Sequence, residues 1–309
     1  MSVPGFFGPE TSVGFIGLGV MGGGMARCLL RGGYRLSVFA RQAAALQPFA
    51  QAGAQLCASP AALGQSCQLV FLSLPDAAAV EDVLFGAEGL AGALAPGACV
   101  VDTSTIASTS AREFGKRLQA QGVAFLDAPV SGGQQGAEAG TLGCMVGGPA
   151  PVVDACRTVM SHFCKSITHV GDLGAGQTVK ACNQVAVAGA LLGVADAIAL
   201  ARAEGVDLGV MREVLMGGAA KSFSLEKHAP RIAAGEFKPG FRARLMRKDL
   251  RLALASAQAS AAVLPTAALA EEMLDSLCEG GRADWDWCAV ALEVQRRSGM
   301  QIPEASVAS

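Results

Sequence analysis

The sequence is short of charge. Of its 309 residues only 16% are Asp, Glu, Lys or Arg, and the formal net charge is -2. With three His and this slightly acidic balance, it lacks the basic face that nucleic-acid-binding chains present to phosphate, so no nucleic-acid partner is expected. It also lacks any CxxC pair: the ten Cys are scattered, and Cys99, Cys144 and Cys182 lie inside apolar runs. They read as reduced core residues of a cytoplasmic protein, with neither a disulfide framework nor a metal site. Residues 1–11 have no basic segment followed by an apolar one, so no signal peptide is expected; they read as a loose tail, as do the residues after Gly299. No internal repeat or low-complexity linker interrupts the chain. What remains is 51% hydrophobic and rich in Ala and Gly. That balance predicts a compact α/β protein of two domains with close helix packing.

The least charged stretch lies between Lys180 and Asp196, inside a predicted helix from about Gly176 to Glu204. Apolar and small residues cover all its faces, which predicts a helix enclosed by protein on every side. Its length also fits a membrane span, but Asn183 and Gln184 interrupt the run and its Ala and Gly residues favour packing on other helices, so no membrane is expected. Lys180, Asn183, Gln184 and Val187 follow i, i+3, i+4, i+7 spacing and share one face. A lysine near a helix start is poorly placed for the helix dipole, which favours anions there. Either the side chain snorkels to water, or it is a proton donor beside an anionic substrate.

Upstream, Ser12–Gly17 reads as a buried strand, followed at once by Gly17-x-Gly19-x-x-Gly22 and a helix from about Met21 to Arg31. In that context the glycines let backbone approach a dinucleotide pyrophosphate at the helix N-terminus. At the end of the second strand, Arg35–Phe39, NAD-binding folds place an acid for the ribose 2′-hydroxyl; here stand Ala40, Arg41 and Gln42. Arg41 suits a 2′-phosphate, so NADP(H) is favoured over NAD(H), the alternative being an Arg that stacks on adenine or faces solvent. Strands at 69–74 and 98–102 continue the alternation, and Ser110 with Glu113 has capping-box spacing for the next helix. Loops after parallel strands collect along one edge of such a sheet, which makes Leu74, Pro75 and Thr105 candidate cofactor contacts. Ser131-Gly132-Gly133 is either a plain turn or a backbone N–H cluster suited to a carboxylate. Further strands are predicted at 142–147 and 167–170, with a helix near 152–160 between them. The domain boundary is placed at 175/176, giving a dinucleotide-binding domain over 1–175 and a helical domain over 176–309. In the latter, helices are expected near 209–216, 243–261, 267–278 and 286–297, between breaks at Gly217-Gly218, Pro239-Gly240, Leu264-Pro265 and Gly280-Gly281. For Lys248-Asp249, composition does not decide against an ordinary ion pair on a solvated helix face.

Three segments carry a resemblance along nearly the whole chain: Gly14-Phe15-Ile16-Gly17-Leu18-Gly19-x-Met21-Gly22, Asp127-Ala128-Pro129-Val130-Ser131-Gly132-Gly133, and Gly174-Ala175-Gly176-x-x-x-Lys180. With them the chain resembles the β-hydroxyacid dehydrogenase family. The resemblance implies an α/β Rossmann domain, a long interdomain helix, an all-α domain and a site in the cleft between. It assigns Lys180 as catalytic and Ser131, Gly132 and Gly133 as substrate carboxylate contacts. Thr105 and Lys248 fall near the nicotinamide, while Gly17, Leu18, Gly19, Met21 and Gly22 bind the cofactor. Phe241 and Asp249 match further positions lining the family's site. Many members have Asn four residues after the lysine; this chain has Gln184 there and Asn183 before it, so the substrate amide is one of the two. Asn183-Gln184, Met216-Gly217-Gly218, Phe237–Phe241 and Lys248-Asp249-Leu250 resemble the members that reduce tartronate semialdehyde to glycerate. The implied reaction is NAD(P)H-dependent reduction of a small semialdehyde acid to a 2- or 3-hydroxyacid, by a homo-oligomer, dimer or tetramer. Oxidation of 3-hydroxyisobutyrate or L-threonate and reduction of succinic semialdehyde or glyoxylate are the nearby alternatives. Imine reduction on the same architecture is expected to lack this lysine and the Ser131-Gly132-Gly133 cradle, and a cofactor-binding scaffold without turnover would have no use for Lys180.

Overall fold

The computed structural model describes residues 5–300, which divide between Lys180 and Ala181 into two compact units. The first unit runs β1 (Val13–Ile16), α1 (Val20–Arg31), β2 (Leu36–Phe39), α2 (Gln47–Gln51), β3 (Gln55–Leu56), α3 (Pro60–Gly64), β4 (Leu69–Leu72) and α4 (Ala77–Phe85). It continues with β5 (Cys99–Asp102), α5 (Ser108–Gln119), β6 (Ala124–Asp127), β7 (Val130–Ser131), α6 (Gly133–Ala139), β8 (Leu142–Gly147), α7 (Ala150–Met160) and β9 (Cys164–Gly171). Strand order is β3-β2-β1-β4-β5-β6-β8-β7, with β9 on β8. The first six strands are parallel in the doubly wound order of dinucleotide-binding folds. β8 turns antiparallel to β6 and β7.

β1, β4 and β5 are buried at every residue, as strands covered by helices on both faces must be. Alternation along each strand sorts the side chains. Phe15 and Phe71, register partners on β1 and β4, join Met25, Leu29 and Phe163 on one face, while Ile16, Val70 and Leu72 join Leu63, Leu84 and Phe114 on the other. Each such side chain contributes about 1.5–3 kcal/mol when fully buried.

Two local expectations give way. The stretch before β1 is not a loose tail throughout: Phe7 packs into the core and its N–H donates to the Ala155 carbonyl at 3.2 Å. The segment after Gly299 lies, beyond Met300, outside the described residues. Ser110 and Glu113 form no capping box, because α5 already starts at Ser108 with Ala107 as an N-cap without a side-chain bond. Ser131-Gly132-Gly133 joins β7, which ends at Ser131, to α6, which begins at Gly133.

The long helix α8 (Ala175–Ala203) carries the chain from the first unit into the second. The second unit continues with α9 (Leu208–Met216), α10 (Phe223–Lys227), α11 (Ala229–Ala234), α12 (Ala243–Ala259), α13 (Pro265–Leu277) and α14 (Ala291–Arg297), and a 3-10 turn at Trp287–Val290 leads into α14. Its core gathers Leu191, Leu192 and Ile198 of α8 with Met246, Leu250, Met273, Leu274 and Trp287. α8 is long and apolar enough to cross a membrane, yet half of its most apolar window is buried inside the protein. It is not enclosed on every side: Leu200 is 65% exposed, and Cys182, expected in the core, faces solvent. Its Ala and Gly residues suit an enclosed and a half-covered helix equally, so composition did not separate the two.

Candidate active site

The glycines after β1 have distinct physical roles. Gly17 takes φ +97°, and a Cβ there would lie 2.2 Å from the Ser73 carbonyl oxygen at the end of β4. A Cβ at Gly22 would meet the Gly17 carbonyl at 1.9 Å. At Gly19 a Cβ would meet nothing within 4 Å. The outer two glycines thus close the strand–turn–helix joint, and the middle one leaves space where a pyrophosphate would approach. Gly19 N-caps α1 without a side-chain bond, so the first-turn N–H groups remain suited to phosphate oxygens. The residues present fit a dinucleotide. Leu18 is buried and Met21 half-buried behind this loop, while Arg41 stands exposed just past β2, where no acid competes with it.

Neighbouring loops are fastened to this edge. The Gly17 N–H donates to Phe39 and the Ser73 N–H to Ile16, while the Leu74 N–H donates to the Ser104 hydroxyl at 2.8 Å. The Thr103 hydroxyl donates to the Leu72 carbonyl at 2.6 Å. Leu74, Pro75 and Thr105 therefore lie on the same sheet edge as the glycine loop, with Pro75 exposed and Thr105 half-buried.

The start of α8 is built onto that edge. Asp127, at the end of β6 and fully buried, accepts the Gly174 N–H at 2.7 Å and the Gln177 N–H at 2.8 Å. A Cβ at Gly176 would collide with the Asp127 and Met145 carbonyls at 2.5 and 2.6 Å, so that residue must be glycine for the helix to seat. Lys180 follows in the second turn and is 7% exposed, so most of its side chain is out of water. On the same edge of the sheet, β8 links this region to the Ser131 strand, pairing Gly147 with Asp127 and Gly143 with Ser131. Gly132 and Gly133 take φ +136° and +64° and stay exposed, with Ser131 half-buried beside them.

Burial pushes the Asp127 carboxyl up from its ordinary 3.8 to about 6, against the opposing N–H bonds of Gly174 and Gln177. The folded chain thus binds a proton as pH falls through about 6, before the unfolded chain does. This group's contribution to stability is full below the unfolded value of 3.8 and is lost as pH rises through about 6. The swing is roughly 3 kcal/mol, since one pKa unit is worth about 1.4 kcal/mol. In urea unfolding between about pH 4 and 7, wild type should gain stability relative to Asp127→Asn as pH falls, and a difference independent of pH would contradict this.

In the second unit Gln184, 4% exposed, donates from Nε2 to Asp249 Oδ2 at 2.7 Å and accepts the Asn183 amide at 2.8 Å. Lys248 Nζ lies 3.2 Å from Asp249 Oδ1. The pair is not an ordinary solvated one, because Asp249 is 4% exposed and holds Gln184 as well. Asn183 is half-buried, the more accessible of the two amides. Phe241, also half-buried, is held by a residue that spacing did not single out: buried Asp286 accepts the Gly240 and Phe241 N–H groups at 2.8 and 3.1 Å and pairs with Arg231 at 3.2 Å. His228 and Cys288 lie with Asp286 in a group of possible metal ligands. The Arg231 guanidinium already neutralises that carboxylate, and burial pushes the Cys288 thiol far up and the His228 imidazole down. The group is a brace for the Phe241 loop.

Residues 12–171 match the family model described as the NAD-binding domain of 6-phosphogluconate dehydrogenase. Residues 174–294 match the one described as NAD-binding of NADP-dependent 3-hydroxyisobutyrate dehydrogenase. The chain is 39% identical over 285 residues to a Pseudomonas aeruginosa NAD-dependent L-serine dehydrogenase, covering 90% of this chain and 96% of that one. It is 38% identical over 284 residues to the Escherichia coli 2-hydroxy-3-oxopropionate reductase, covering 91% and 97%. A Mycobacterium tuberculosis 3-hydroxyisobutyrate dehydrogenase solved with L-serine superposes with a TM-score of 0.86 at 31% identity, covering 93% and 99%. These matches span both units. The chain belongs to the β-hydroxyacid dehydrogenase family and is an NAD(P)-dependent hydroxyacid dehydrogenase acting on a small molecule.

Proposed function

We propose that the protein reduces a small semialdehyde acid to the corresponding hydroxyacid, tartronate semialdehyde to glycerate being the favoured case and NADPH the favoured reductant. The observation that carries this reading is Lys180, a buried lysine on a helix whose first turn is bonded to the ligand edge of a dinucleotide-binding sheet. A reduced nicotinamide dinucleotide, its pyrophosphate held at Gly17, Gly19 and Gly22, would supply hydride for the aldehyde carbon. Lys180 gives its proton to the oxygen that becomes alkoxide. The Ser131 hydroxyl and the Gly132 and Gly133 N–H groups hold the substrate carboxylate. Leu18, Met21, Leu74, Pro75, Thr105 and Lys248 serve the cofactor, and Phe241 and Asp249 the substrate. Between the two amides, Asn183 is assigned to the substrate hydroxyl, because Gln184 is engaged by Asp249 and by Asn183 itself. The sequence similarity to the E. coli 2-hydroxy-3-oxopropionate reductase supports the substrate choice. A cytoplasmic homo-oligomer, dimer or tetramer, is the proposed form, which suits the exposed Leu200, Val210 and Val214.

Turnover of the purified protein with NADPH or NADH and a panel of semialdehyde acids tests the reading; a cofactor-binding scaffold would bind the dinucleotide and consume none. For cofactor choice, Arg41→Ala should raise KM for NADPH by about 10- to 100-fold, the worth of one charge-assisted pair, with KM for NADH scarcely changed. A wild type that prefers NADH, with a silent Arg41→Ala, would overturn the preference.

A further inference from the structure

The buried amide of Gln177 has a position that neither hydride transfer nor proton donation requires of it. Gln177 is 3% exposed and precedes Lys180 by almost one turn of α8. Its Nε2 donates to the Ser104 carbonyl at 2.8 Å, and its Oε1 accepts the Ile106 N–H at 3.1 Å. The two backbone groups it satisfies flank Thr105 on either side. Ser104 and Ile106 are each 3% exposed, so water is a poor substitute partner for either. Ser104 is itself tied outward, its hydroxyl to the Leu74 N–H and its N–H to Asp102 Oδ1 at 2.9 Å. The backbone N–H of Gln177 meanwhile donates to Asp127. One residue thus joins the β5–α5 loop, through Ser104 the β4–α4 loop, and the helix that carries Lys180.

We propose that Gln177 is a positioning residue that holds Thr105 at a fixed separation from Lys180, coupling the cofactor loop to the proton donor. This rests on the roles given above to Thr105 and Lys180. Glutamine suits the task because its amide supplies one donor and one acceptor in a planar fork at the end of a reach that spans the loop. An ionised Glu would still accept from Ile106 but would oppose the Ser104 carbonyl. A Leu would leave both backbone groups unpaired. Loss of the clamp lets the nicotinamide contact drift relative to the lysine, and a misplacement of about 1 Å costs on the order of 100-fold in rate.

The test uses Gln177→Leu and Gln177→Glu in the full chain, with kcat, cofactor Kd and thermal midpoint measured together at temperatures where each variant is folded. Gln177→Leu should lose about 10- to 100-fold in kcat with a much smaller change in cofactor Kd. Gln177→Glu should regain activity as pH falls, because a protonated carboxyl again offers one donor and one acceptor. A merely structural role would lower the midpoint and leave kcat of the folded protein unchanged. Wild-type kcat in Gln177→Leu, or, should that variant not fold, a wild-type pH profile in Gln177→Glu, overturns the proposal. Lys180→Ala assayed alongside separates the two failures. If it loses activity while the Gln177 variants do not, only the clamp is wrong; if it keeps activity, the assignment of Lys180 falls by itself.

Discussion

Tartronate semialdehyde should exceed methylmalonate semialdehyde in kcat/KM by a factor on the order of 10,000. The two substrates differ at one substituent, a hydroxyl in the first and a methyl in the second. Asn183 is half-buried on the face of α8 that carries Lys180, and Gln184 accepts a bond from its amide nitrogen. A hydroxyl would meet the amide oxygen as a donor. A methyl would strip that amide of water and return nothing, which is how sites built for a hydroxyl reject the analogue without one. Succinic semialdehyde and glyoxylate bracket the effect by changing the distance between carboxylate and carbonyl. The measurement is kcat/KM for all four with the preferred cofactor. A lead for the methyl-bearing substrate would make 3-hydroxyisobutyrate chemistry the better description.

Lys180→Ala should lower kcat by about 100- to 10,000-fold while cofactor binding stays close to wild type. The lysine is buried, on a helix whose start is bonded to Asp127, so truncation should remove the proposed proton donor without unseating the glycine loop. Lys180→Arg should fail as well, because a guanidinium barely releases its proton. A small primary amine added to Lys180→Ala should restore part of the rate if the lost function is proton donation. Near-wild-type turnover in Lys180→Ala would remove the residue from the mechanism.

Local backbone constraints were legible in the sequence, and long-range polar partnerships were not. Gly17 and Gly22 announced a tight joint because their requirement is set by a strand, a turn and a helix adjacent in the chain. Lys180, Asn183 and Gln184 announced a polar face by helical spacing, and α8 runs through all of them. The residues that fasten the site carried no such mark. Gln177 meets Ser104 across 73 residues, Asp127 meets Gly174 across 47, and Asp286 meets Gly240 across 46. Nothing periodic encodes those distances; a buried Gln or Asp reads in sequence like an exposed one. Helices α6, α10 and α11 were also silent, since elements of five to seven residues are too short to display a repeating apolar face. Cys182 was misjudged for the opposite reason, because an apolar neighbourhood along the helix does not say which side is covered.

In the proposed reaction reduced cofactor would pass hydride to a semialdehyde acid, with Lys180 completing the product. This reaction is tested most directly by a single turnover, with cofactor already bound and tartronate semialdehyde added, followed by the loss of nicotinamide absorbance in wild type and Lys180→Ala. One equivalent of reduced cofactor should be consumed per glycerate formed in wild type, with the same stoichiometry in Lys180→Ala at a rate lower by about 100-fold or more. Equal rates in the two proteins, or a wild type that binds the cofactor and consumes none, would contradict it.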